Sequence, residues 1–141
     1  MAMERRRARE AALLVLFQEE AGTSPSSGWE LACEITGVGG EGLDFARRLV
    51  REVRQRKKDL DALVQSLSEG WPLHRMAPVV RNALRIGTCE LLHMRETPMP
   101  VIINEAVELT KKYADGASAK FVNGILARVA ELRHSPAEGG R

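Results

Sequence analysis

Two cysteines in 141 residues, Cys33 and Cys89, are too few and too far apart for a disulfide framework or a CxxC metal knuckle. Aromatic residues make up only 4% of the chain, so leucine, alanine, valine and isoleucine must do most of the core filling. No apolar run approaches the roughly 20 residues of a membrane span. The arginine-rich start lacks the apolar centre of a signal peptide, so a cytoplasmic protein without membrane association is expected. The net charge is only +2, too small to argue for nucleic acid unless the placement of the cations does so. Catalytic sets are missing as well. There is no nucleophile with a recognisable histidine partner, no convincing carboxylate pair and no phosphate-cradling P-loop. Gly37, Gly39 and Gly42 formally satisfy GxGxxG, but no neighbouring segment alternates like the strands a dinucleotide site needs. Cys89 and His93, one helical turn apart, offer fewer ligands than zinc requires, and read as a core cysteine and a surface histidine. The expectation is therefore no enzyme, no metal and no cofactor.

What is present suits one compact helical domain: 44% hydrophobic and 28% charged residues in a chain long enough to bury a core. Residues 4–20 read as a first helix, with seven apolar residues in a row from Ala11 to Phe17. Arg5, Arg6, Arg7 and Arg9 crowd its first turns, where cations oppose the helix dipole. That mild cost suits a ligand-facing role, although a solvated charge run accounts for the cluster equally well. Residues 22–42 read as a glycine-rich hinge around a short helix from Trp29 to Thr36. Residues 43–69 keep helical spacing through Phe45, Leu49, Val53, Leu60, Leu63, Val64 and Leu67, with a basic middle read as a solvated, ion-paired face, or less readily as an extension of a basic RNA track. Gly70-Trp71-Pro72 ends that stretch, and a central helix is expected from Val79 to Met94. There Arg85, if buried, needs a partner, and Glu90 is the nearest local carboxylate.

Residues 102–129 read as two helices meeting at a polar corner. Ile102, Ile103, Ala106, Val107, Leu109 and Thr110 share one face, behind Pro98 and Pro100. Ala114-Asp115-Gly116 breaks the pattern, with Ser118 as N-cap of a helix whose stripe is Val122, Ile125, Leu126 and Val129. Gly124 in its middle suggests close approach of another backbone. Phe121 falls at the edge of the stripe and Lys120 away from it, both in a first turn whose free amides favour an anion. Such a set can hold a phosphate and stack a base, although spacing alone favours Phe121 as core and Lys120 as solvated surface.

INEAVEL at 103–109, KKY at 111–113, Ser118 and KFVNGIL at 120–126 resemble the C-terminal signature of the NusB family of bacterial transcription antitermination factors. RRRAR at 5–9 resembles that family's N-terminal arginine motif. RNALRIGTCELL at 81–92 resembles its "DRxILRLAxYEL" pattern, with Val80, Gly87 and Cys89 as departures near the surface thought to meet a protein partner. The resemblance implies an all-α fold of two packed three-helix bundles with about seven helices. Within a single domain over 1–134, the N-terminal bundle would span about 4–69 and the C-terminal bundle about 72–134, followed by a disordered tail at 135–141.

The resemblance also implies an RNA-binding factor that pairs with NusE, the ribosomal small-subunit protein, to hold single-stranded boxA RNA on the RNA polymerase elongation complex. Arg5, Arg6, Arg7, Arg9 and Lys120 would meet phosphates and Phe121 would stack on a base. The amino end and the opening turn of the last helix would build one cationic surface, with Val80 and Arg81 facing the protein partner. Monomer and homodimer both stay open. Two other readings remain: a protein-only helical adaptor, and a stand-alone relative of the RNA-binding module of RNA cytosine methyltransferases.

Overall fold

The computed structural model describes residues 2–22 and 25–133, with side chains for residues 3–22 and 28–133. The tail expected at 135–141 lies outside the described residues. Six α-helices follow in order: α1 (Ala2–Glu20), α2 (Pro25–Thr36), α3 (Gly40–Leu67), α4 (Pro78–His93), α5 (Met99–Tyr113) and α6 (Gly116–Arg133). A 3-10 turn over Leu73–Arg75 joins α3 to α4, and the described residues include no strand. The fold is all-α, as expected. Contacts divide the chain into two units, Met1–Gln55 and Arg56–Arg141. The division falls inside α3, whose Val64 packs with α4 and α6 residues in the second unit.

In the first unit α1 buries Ala8, Ala11, Ala12, Leu13, Val15 and Leu16, and the start of α3 buries Phe45, Ala46, Leu49, Val50 and Val53. Phe17, the last of the apolar run, is exposed. Gly37 and Gly40 turn the chain between α2 and α3 at φ of 74° and 52°, a region that glycine enters without steric cost. Gly42 has a different task. A Cβ there would stand 2.9 Å from Val38 Cγ2 and 3.3 Å from the Glu4 carbonyl oxygen, so its lack of a side chain lets α3 lie close to α1. Arg54 of α3 pairs with Glu19 of α1, its Nε donating to Oε1 at 3.3 Å.

The second unit has a core of Val64, Leu73, Met76, Val80, Leu84, Leu91, Ile102, Ala106, Val122, Ile125, Leu126 and Val129. Gln65 organises the turn into α4 by accepting from the Leu73 amide at 2.7 Å. Pro78 and Pro100 stand in the first turns of α4 and α5, where a missing N–H costs nothing. Arg85 is 5% exposed. Its fork donates to Asp61 of α3 at 2.7 and 2.9 Å and to Asn82 at 3.0 Å, so the carboxylate comes from another helix. Close approach is found at Gly87, where a Cβ would meet Leu126 Cδ1 at 2.6 Å. The same expectation for Gly124 is corrected: nothing lies within 4 Å of a Cβ there.

Candidate nucleic-acid interface

The arginines of α1 divide by burial. Arg6 and Arg7 are exposed and Arg5 is half-buried. The Arg5 guanidinium lies 3.9 Å from the centroid of the Phe45 ring. A cation on a desolvated ring gains about 0.5–2 kcal/mol, enough to offset the roughly 0.3–1 kcal/mol that a cation loses at a helix N-terminus. The ring thus makes the electrostatically awkward arginine tolerable. Arg9 is 3% exposed, with its guanidinium 5.5 Å from the same ring. Burial leaves Arg9 little surface for the direct phosphate contact that the RRRAR run suggested for it.

The opening of α6 differs from expectation in its cap. Asp115, not Ser118, caps the helix: its carboxylate accepts from the Ser118 amide at 2.7 Å, and its carbonyl accepts from Ala119. The Ser118 hydrogen bond holds the Asp115 carboxyl below the usual carboxylate range. One of the amides proposed for a phosphate is therefore occupied by the chain's own anion. Lys120 is exposed beside Lys111, Val107 and Asn123 along an open groove of about 700 Å³ between α5 and α6. Lys111 is in turn 3.5 Å from Glu108, the pairing its spacing suggests.

Phe121 is neither sealed in the core nor fully exposed. It is half-buried against the second unit's core, its ring tilted 52° to that of Trp71 with centroids 4.4 Å apart. Sequence spacing placed Phe121 at the stripe's edge but gave no hint of Trp71, which is 50 residues away and arrives only through the turn after α3.

The residues expected at a protein partner are also redistributed. Val80 is 1% exposed and belongs to the core. Gly87 and Cys89 are buried too, so these departures answer to packing rather than to an exposed interface. Arg81 is half-buried and clamps the turn before α4, its Nη1 donating to the Met76 carbonyl at 2.7 Å and the Leu73 carbonyl at 3.3 Å. It lines a polar hollow with Asp61, Gln65, His74 and Arg85. No cluster of metal-ligating side chains occurs among the described residues.

The family model for NusB matches residues 6–131. The transcription antitermination protein NusB of Desulforamulus reducens is 38% identical over 136 residues, covering 96% of this chain and 95% of that protein. The NusB structure from T. maritima is 34% identical, with a TM-score of 0.83 over 97% of each chain. A chain in the crystal structure of antitermination factors NusB and NusE in complex with dsRNA is 28% identical, with a TM-score of 0.82 over 94% of this chain and 99% of that one. With the family model matched over 6–131 and a relative 38% identical across nearly the whole of both chains, the chain belongs to the NusB family.

Proposed function

We propose that this protein is a transcription antitermination factor that binds boxA RNA together with NusE and keeps RNA polymerase processive through ribosomal RNA genes. Its role is binding rather than catalysis, and its place of action is the cytoplasm. No helix among the described residues is long and apolar enough to cross a membrane. The observation that carries the reading is the state of the α1 arginines. Arg6 and Arg7 are exposed, and Arg5 is seated over Phe45 in a chain similar to one crystallised with NusE and dsRNA. Arg5, Arg6, Arg7 and Lys120 would neutralise phosphates, and Phe121 would offer its open surface to a base. Single strands suit that set because stacking needs unpaired bases.

The test is a titration of the full chain with labelled single-stranded boxA RNA and with a duplex of the same sequence, each with and without NusE. Tighter binding of the single strand in the presence of NusE is the expected result. Binding of NusE with no RNA affinity in any arm would favour the protein-only adaptor, and preference for the duplex would remove Phe121 stacking from the account.

A further inference from the structure

We infer that the first unit carries a second single-stranded RNA contact, built on Trp29 of α2 and on Arg47 and Arg51 of α3. It extends the RNA-binding reading above to a surface that neither the arginine motif nor the α6 signature includes.

The arginines of α3 are not equivalent. Arg54 is paired with Glu19, and Arg48 also has a partner. Arg47 and Arg51 are exposed, and among the described residues neither meets a carboxylate. They stand four residues apart, so they share a helix face and are separated by about 6 Å of rise. Arg47 does have one neighbour: its guanidinium lies 4.9 Å from the centroid of the half-buried Trp29 ring. A solvated charge run does not require an aromatic seat. A guanidinium seated on indole keeps its donors free and offers a flat cation on which a base can stack.

Indole, guanidinium and base in one stack, with Arg51 one turn along for the next phosphate, are the parts of a sequence-tolerant single-strand site. Glu30 and Glu34 are exposed on α2, turned about 100° and 140° from Trp29 around the helix axis. They repel an anion that leaves the α3 side and so set a boundary to the track.

The experiment uses the full chain labelled with 5-fluorotryptophan. The two tryptophans give two ¹⁹F resonances, and Trp29 is assigned by its absence from Trp29→Phe. Titration uses polyuridylate of roughly 12 nucleotides, within the 4–16 that one such site covers, with anisotropy of a labelled copy followed in parallel. The Trp29 resonance is expected to shift on binding, in the parent and in an Arg5, Arg6, Arg7→Ala triple variant. Arg47→Ala with Arg51→Ala should abolish the shift and flatten the log affinity against log salt slope by about 1.4, from roughly 0.7 per phosphate. Trp29→Leu should weaken binding about 5- to 100-fold. RNA that binds without moving the Trp29 resonance would overturn this inference and leave the boxA reading intact. RNA binding nowhere would overturn both. Polyglutamate shifting Trp29 where polyuridylate does not would replace RNA by an acidic protein partner.

Discussion

Gly87 and Gly124 are both helical glycines, and their surroundings give them opposite consequences. Alanine gains about 1 kcal/mol over glycine in a helix interior. At Gly124, exposed with nothing in the way, Gly124→Ala should raise stability by about that amount. At Gly87 the new methyl would stand 2.6 Å from Leu126, itself 0% exposed. Overpacking costs about 1–3 kcal/mol, so Gly87→Ala should lower the melting temperature although it improves helix propensity. Thermal unfolding of the two variants checks both signs.

Asp61 poses a similar question of what is left behind. Removing it takes two charge-assisted hydrogen bonds from Arg85, which is 5% exposed. Asp61→Ala should cost about 3 kcal/mol by denaturant titration, the lower end for a broken buried pair, because Asp61 is a quarter exposed. Phe121 needs a variant that separates its two roles, since truncation to alanine would open the contact with Trp71. Phe121→Leu keeps apolar volume at a cost below about 1.5 kcal/mol but loses the ring face. It should weaken RNA binding by about 1–3 kcal/mol, and unchanged affinity in a folded variant would place Phe121 in the core alone.

At the scale of elements, α6 gives a pH signature. The Ser118 amide donates to the Asp115 carboxylate and depresses its pKa in the folded state. A depressed folded value means a stabilisation that is complete above the unfolded value of about 3.9 and is lost as the pH falls through the lower folded value. Asp115→Asn should therefore flatten the fall of melting temperature below about pH 4. Curves of equal steepness would show that the cap is not coupled to folding.

Helix α1 was legible from its run of seven apolar residues, the later part of α2 as a short helix, and α3–α6 from apolar residues at helical spacing, with prolines marking the starts of α4 and α5. The cap was not, because Asp115 and Ser118 are both good N-cap residues three positions apart and only geometry chooses between them. The burial of Arg9 was hidden for a related reason. It follows Arg5, Arg6 and Arg7 in one basic run, whereas the ring beside it, Phe45, lies on another helix. Asp61 as a partner of Arg85 was hidden in the same way, because it lies on α3, 24 residues away.

The molecule as a whole is nearly neutral at +2, and its case for RNA depends on where the cations stand. α3 crosses from one unit into the other, so α1, α2 and the first half of α3 form one self-contained group of helices and the remainder forms a second. The proposed RNA residues fall in both units, with Arg5, Arg6 and Arg7 in the first and Lys120 and Phe121 in the second. The family resemblance suggested those positions; Arg6, Arg7 and Lys120 are exposed, Arg5 and Phe121 are half-buried. The measurement closest to the central claim is the salt dependence of boxA RNA affinity, taken with NusE present, for the parent and for Arg5, Arg6, Arg7→Ala. Loss of three phosphate-neutralising arginines predicts a slope of log affinity against log salt flatter by about 2 in the variant than in the parent, from roughly −0.7 per contact on a single strand. Equal slopes for the two proteins would contradict the account.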